Sequence, residues 1–460
     1  MKCELELNLC LKFQPISKDL VLNLLGKSIA SYKPRVRSLE MILCHCVRFS
    51  EYEILISLAN ERYPIERYNP NKISAKPFIW IIKLLDSLGY IKLNKQSNPF
   101  KIKEIDDSHK VPSDTDKPQK FLTSSFTTTP KGLELASALG IEDNNIHIKN
   151  AVYLKFKDVK DERGNQVLLD FKETEKTKQM EADMKIYCDY LNKQDIRLGD
   201  KQFKDVHIYR NFTDYDGTGK LEYGGRGGGY WSQVWKEERP KITINGKKTS
   251  SKDLDYSASQ YNRLYQYLTG KYFDGDAYEL YVGQQNHKIP RSITKRLAMY
   301  ALNVKESVAT KRLNYWYQPI NKLTKKKKAT GHWSGKKESE LYQKTMALRG
   351  VSPLACKNAF LKKHHVIKEY LYQGVRGGQF AFWLESNLVF AVAKYAVDWD
   401  IPCLTVHDEF IVAEEHQETM KELMYTVFAP KGDDFVDFLD RKEYIRPPKP
   451  FIFDGAEIKQ

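Results

Sequence analysis

Apolar positions near the N-terminus recur at helical spacing. Between residues 38 and 60, Leu39, Ile42 and Leu43 are followed by Ile54, Leu55 and Leu58, which predicts helix across the stretch. Pro64 and Pro70 interrupt it, and the first 40 or so residues carry little pattern. Ser74 can cap a helix over 76–88 that places Phe78, Ile81, Ile82, Leu85 and Leu88 on one face, with Gly89 as its stop. Alternation over 90–94 predicts a strand, and a second follows at 121–128 after a long polar stretch. Thr129 is a natural N-cap and Pro130 a natural first helical residue, so a helix opens there.

The middle of the chain reads as two strands over 150–172 joined by a turn-rich hairpin connection at 161–165, then a charged amphipathic helix over 173–192 carrying Met180, Met184, Ile186, Tyr187 and Tyr190. That helix is either a solvated connector or one that leans on a duplex. Residues 241–244, an Asn245-Gly246 turn and a strand running to 257 predict a hairpin. A helix with Leu264, Tyr267 and Leu268 on one side follows, stopped by Gly270, so Asp255 falls at a strand-to-helix junction. Residues 290–303 form another helix, with Arg291 and Lys295 four apart on one face. A Gly-rich entry at 374–378 leads into an apolar helix containing Glu385. The runs at 403–406 and 410–412 then flank His407, Asp408 and Glu409, a β-hairpin with its acidic residues at the turn. The tail around 446–450 reads as an extended strap.

The order helix, helix, strand, polar loop, strand, capped helix is that of a winged helix-turn-helix. The stretches LLDSLGYIKL (84–93) and TTPKGLELA (128–136) resemble that fold in bacterial transcription factors, with 95–119 as an enlarged wing. Such a module either sets a helix in the DNA groove or docks protein.

Composition changes the picture mainly through charge. The 460 residues carry a net charge of +15, and 12% are aromatic, which favours a polyanionic partner, most simply nucleic acid. Seven scattered cysteines make no disulfide framework and point to a reducing compartment. Cys44, His45 and Cys46 are too closely spaced for a usual zinc site and read as core. No run looks apolar for long enough to cross a membrane, and the N-terminus does not begin a signal peptide. The expectation is a cytoplasmic protein without a membrane partner.

The chemistry gathers in a few places. In the run 223–231, five glycines surround Arg226, a backbone able to approach a ligand beside a cation able to meet phosphate, with Tyr230, Trp231 and Trp235 nearby. Two rigidly placed aspartates, Asp255 and Asp408, can hold a metal pair that clamps the oxygens of an in-line displacement, while Arg291 and Lys295 can grip a triphosphate. Residues 305–349 are basic, with Lys325 to Lys328 consecutive and Tyr315, Trp316, Tyr317 and Trp333 interleaved. They form either a nucleic-acid track or a solvated insertion.

DYSASQYNRLY (255–265) resembles motif A of the family A DNA polymerases and of their bacteriophage-type single-subunit RNA polymerase relatives. RSITKRLAMYALNVKE (291–306) resembles motif B, closest to the RNA enzymes, and LTVHDEFIV (404–412) resembles motif C. The three occur in the family's order. The resemblance implies an α+β right-hand polymerase, with an antiparallel palm sheet and helical fingers preceded by the winged-helix-like module. Its expected parts are an N-terminal module (1–145), a linker or thumb-like helical region (146–204), the first part of the palm (205–274), fingers (275–370), and the second part of the palm with the tail (371–460). It implies that Asp255, Asp408 and the Tyr256 carbonyl hold two Mg²⁺, with Mn²⁺ as a substitute. Arg291 and Lys295 would hold the nucleotide phosphates, with Lys295 donating a proton to pyrophosphate. His407 and Glu409 would line the primer terminus, and Arg226 would touch template. Gln260 stands where the DNA polymerases place a glutamate steric gate, and Asn303 where both families place a tyrosine, so the nucleotide site departs from the pattern at both. Glu409 follows the DNA polymerases. The implied partners are a DNA template, a nascent RNA or DNA strand and nucleoside triphosphates, in transcription, priming or DNA replication. The expected activity is DNA-directed RNA or primer synthesis, with DNA synthesis as the alternative; a non-catalytic DNA-binding regulator on the same scaffold is the reading from another class.

Overall fold

The computed structural model describes residues 2–4, 9–11, 16–26, 29, 32–57, 66–94, 123–148, 151–159, 167–314, 336–346 and 350–426. The expected wing over 95–119, the expected turn at 161–165, the basic-aromatic run over 315–335 and the C-terminal strap lie outside them.

In the N-terminal region a four-stranded sheet runs Lys2–Glu4, Glu53–Ser57, Thr123–Thr128, Ile91–Asn94, with the first pair parallel and the others antiparallel. The helices Lys33–Arg48 and Ala75–Ser87 cover it. Leu39, Ile42 and Leu43 from one and Phe78, Ile81, Ile82 and Leu85 from the other close a core with Ile54, Ile56 and Phe126. Residues 53–57 depart from the helix expected there. Ile54 and Ile56 are buried while Glu53 and Leu55 are half-buried, a period of two that the β-branched side chains favour. The capped helix begins as expected: the Thr129 hydroxyl accepts from the Gly132 amide at 3.2 Å, with Pro130 in the first turn. Cys44, His45 and Cys46 are fully buried, and His45 Nδ1 lies 2.8 Å from the Met41 carbonyl, so the cluster is core.

The larger part is a mixed helix-and-strand fold. A six-stranded sheet runs Cys403–Val406, Glu409–Ala413, Lys247–Ser250, Ile242–Ile244, Ile196–Leu198, Lys201–Gln202, antiparallel at every step. Asn245 and Gly246, both at positive φ, close the hairpin between the middle strands as the sequence predicts, but its second strand ends at Ser250 rather than running to 257, and Asp255 makes a single isolated bridge. The stretch 146–204, expected as a linker or thumb-like region, is instead built into the sheets. Ile196–Leu198 and Lys201–Gln202 end the six-stranded sheet, while Leu154–Asp158 pairs parallel with Arg210–Asp214 beside Gly224–Arg226. The helix between them, Glu175–Leu191, is neither a connector nor exposed to a duplex along its inner face. It buries Met184, Tyr187, Cys188 and Leu191, and the Tyr187 hydroxyl donates to the Cys403 carbonyl at 2.8 Å.

Val375–Asp398 is the spine of this part. Ala381, Trp383 and Leu384 enter a core shared with Ser259–Thr269, Arg291–Asn303 and Pro353–Lys363. Leu388, Val392 and Ala396 enter the core beneath the six-stranded sheet. Contrary to the sequence expectation, this helix is long and apolar enough by length and composition to cross a membrane. Its apolar surface is largely spent on these two cores, as expected of a central helix. The N-terminal region joins this body through Arg48, which pairs with Asp143 and Asp205, and through Tyr230, whose ring lies 5.9 Å from Phe49 and 6.2 Å from Tyr52.

Candidate active site

Three distant pieces of chain meet at one turn. Val406 pairs with Glu409, so His407 and Asp408 form a two-residue loop. His407 has φ 59°, and histidine is among the few non-glycine residues enriched in that left-handed region. The strands beneath are anchored by Leu404, Val406, Phe410 and Val412, all nearly inaccessible to solvent.

On one edge of this hairpin the Phe410 amide donates to the Leu254 carbonyl at 2.9 Å, and Asp255 pairs with Glu409. On the other edge Gly228 pairs with Val406, and the buried Trp231 donates through Nε1 to the Thr405 carbonyl at 2.9 Å. Backbone pairing therefore sets Asp255 beside the tip that carries Asp408. Asp255 is exposed and Asp408 half-buried. Burial raises the Asp408 pKa above the ordinary carboxylate value and the negative charge of Asp255 adds to it, while Arg226 and His407 pull it down. The Tyr256 ring turns away from the tip, and its hydroxyl donates to the Met424 carbonyl at 3.0 Å.

Arg226 is held from below. Its Nε donates to Glu385 Oε1 at 2.8 Å, its Nη2 reaches the same oxygen, and its guanidinium stacks 3.9 Å from the Phe382 ring centre. Glu385 is 1% exposed, and burial raises its pKa against the charge of Arg226. The adjoining glycines make close internal contacts where the sequence suggests ligand approach. A Cβ on Gly225 would fall 2.6 Å from the Ser386 hydroxyl, and one on Gly227 would fall 2.6 Å from the Tyr209 carbonyl. The buried Arg210 fastens the same crossing. It donates to the Gly225 carbonyl at 2.9 Å and to Asn387 Oδ1 at 2.6 Å, and burial brings its pKa down to about 9.

The cationic half lies on the helix Arg291–Asn303. Arg291, Lys295 and Met299 are exposed at four-residue steps along one face, while Ile293, Leu297 and Ala301 face the core. Arg291 Nε is 3.3 Å from Asp276 Oδ2. The Tyr278 ring centre lies 5.1 Å from the Arg291 guanidinium and 5.8 Å from Lys295 Nζ. Burial pushes the phenol to about 12, with Arg291 lowering it and Asp408 and Glu385 raising it. Tyr278 thus stands among the basic helix face and the carboxylates, a position that no pattern in the sequence marks.

The remaining candidates are placed as follows. Glu409 Oε2 accepts from Arg239 Nη1 at 2.7 Å, a partner with no signal in the sequence. His407 is exposed at the tip, where loss of hydration together with Arg226 and Arg239 depresses its pKa, so the imidazole is neutral at pH 7. Gln260 is half-buried in the first turn of Ser259–Thr269. Asn303 ends the basic helix and donates through Nδ2 to the Met299 carbonyl at 3.0 Å. Its Oδ1 lies where a Cβ on Gly378 would come within 2.4 Å, so it is seated at a helix crossing.

The donor set suits a hard cation. The two carboxylates, Asp255 at a bridge to the hairpin and Asp408 in its turn, supply oxygen only, and among the described residues no group of three or more His, Cys, Asp or Glu is placed to enclose a metal. Mg²⁺ is usually bound by one or two carboxylates and completes its shell with water and substrate phosphate. A half-buried, incompletely neutralised Asp408 would gain most from such an ion. No family model, curated protein or solved structure matches this chain.

Proposed function

We propose that this chain is a template-directed nucleotidyltransferase, making RNA or primers on a DNA template. The observation that carries the reading is the backbone pairing of Asp255 with Glu409, the neighbour of Asp408 at the hairpin turn, together with Arg291 and Lys295 around Tyr278. Two Mg²⁺ held by Asp255, Asp408 and the Tyr256 carbonyl would supply the charge neutralisation for attack by a 3′-hydroxyl on an α-phosphate. Arg291 and Lys295 receive the β- and γ-phosphates, and Lys295 gives a proton to the departing pyrophosphate. Neutral His407 lies over the strand terminus without competing for the cation, and Arg239 fixes Glu409 beside it. Arg226, braced on Glu385, keeps a positive charge next to Asp408 and so favours its ionised form. The preference for ribonucleotides rests on the likeness of 291–306 to motif B of the RNA enzymes.

Extension of a labelled primer–template with Mg²⁺, using the four ribonucleotides or the four deoxynucleotides, tests the reading. Template-directed extension is expected, falling by about 10³-fold or more in Asp408→Ala, as when a principal transition-state contact is lost. Extension with deoxynucleotides alone would move the assignment to a DNA polymerase. Absence of extension with either set, or extension that survives the substitution, sinks it.

A further inference from the structure

Trp235 is 79% exposed, more than any other large hydrophobic side chain described. Tryptophan is on average among the better buried residue types, so a ring left this open on a rigid base calls for an occupant. The base is rigid. Trp231 and Val234 are buried, and the Val234 amide donates to the Trp231 carbonyl at 3.0 Å. The Trp235 carbonyl accepts from the amides of Glu238 at 2.9 Å and Arg239 at 3.1 Å. Arg239 then spans from this turn to the site: its Nε donates to the Val234 carbonyl at 3.2 Å and its Nη1 to Glu409 Oε2 at 2.7 Å. The backbone that carries Trp235 is therefore tied through Arg239 to Glu409 beside the hairpin tip.

We infer that Trp235 is a stacking platform for an unpaired base of the strand that enters the Asp255–Asp408 site, an inference that rests on the nucleotidyl-transfer reading. A protein partner would call for a contiguous apolar patch, whereas the neighbours in sequence, Lys236, Glu237, Pro240 and Lys241, are exposed and mostly charged. A base needs only one flat face, because every base offers a π-surface. The chain's net charge of +15 draws the polyanion to which that base belongs.

The test is fluorescence anisotropy of a labelled single-stranded oligonucleotide and of a blunt duplex, without nucleotide, for the wild type, Trp235→Ala and Trp235→Phe. Loss of one base stack should weaken single-strand binding by about 5- to 100-fold in Trp235→Ala, with most of the affinity kept in Trp235→Phe and duplex binding unchanged. Equal affinity of Trp235→Ala and wild type for the single strand overturns the inference. So does an equal loss on strand and duplex, which would report charge or folding. Failure of primer extension together with Trp235-dependent strand binding would remove the polymerase reading and leave the platform standing. Extension with Trp235-independent binding would do the reverse.

Discussion

The two halves of the site are built in opposite ways. The carboxylate half rests on backbone: Asp255 is set by strand pairing, Asp408 by a two-residue turn between buried strands, and Arg226 by a carboxylate that solvent scarcely reaches. The cationic half rests on side chains. Arg291 and Lys295 are exposed, and Arg291 is steadied by Asp276 and the Tyr278 ring. A metal needs ligands already in place before it binds, so rigidity belongs there. Phosphates arriving from solvent are met by flexible cations that tighten on contact, which suits exposed side chains on a fixed helix. If this contrast is correct, substitutions in the first half should act on stability and pH dependence, and those in the second on apparent nucleotide affinity.

Arg226→Ala should show the largest structural effect. It leaves Glu385 buried without its cation, and breaking such a pair costs about 3 kcal/mol, at the low end of the usual range because Arg226 keeps 28% of its side chain exposed. A denaturant midpoint measures it. The same change removes a charge that lowers the Asp408 pKa, so the acid limb of any metal-dependent activity should move to higher pH. A variant as stable as the wild type with an unmoved limb would show that the carboxylate half is not braced from below.

Asp408→Asn comes next, with opposite effects on stability and activity. The folded-state pKa of Asp408 is raised, chiefly by burial, so the protonated form is favoured by folding. Its favourable contribution is present below the unfolded carboxylate pKa and is lost as pH rises through the folded value. At neutral pH the ionised group therefore strains the fold, and the neutral amide should stabilise it by about 1 kcal/mol, the usual gain when a functional compromise is removed. Thermal midpoints at pH 7 should rise and those at pH 4 should not. Mg²⁺ should raise the midpoint of the wild type but not of the variant.

The contrast also explains how much was legible in the sequence. Asp255, Arg291 and Asp408 stand at or near element ends, and Lys295 one turn into a helix, all close to local signals: an apolar run broken by His-Asp-Glu, an Asn-Gly turn, a proline opening a helix. Glu409's partner Arg239, the Tyr278 ring and the bracing of Arg226 by Glu385 arise from tertiary packing between residues far apart in sequence, and no period or cap announces them. The glycines around Arg226 show the limit from another side. Their density signals close approach, but only the structure shows that Ser386, Arg210 and Tyr209 are what approaches. Residues 53–57, expected as helix, are a strand for a similar reason, since a short apolar run fits either period and pairing in the sheet decides between them.

The smallest expected effect tests the cationic half. Asp276 is 38% exposed and Arg291 46% exposed, so their pair is worth no more than about 1 kcal/mol and is screened by salt. On the nucleotidyl-transfer reading, a nucleotide seated on Arg291 would take that cation from Asp276, at a cost in apparent affinity. Asp276→Asn removes the competitor while leaving the Tyr278 contact and the helix in place. It should therefore lower the KM for nucleotide by about 2- to 5-fold in low salt, with little change in kcat, and the gain should shrink as salt is raised, because the pair is exposed. An unchanged KM at low salt would mean that Arg291 does not meet phosphate. A change in kcat with KM constant would place Asp276 in the chemical step, and the division between a rigid carboxylate half and an adaptable cationic half would then fail at its exposed side.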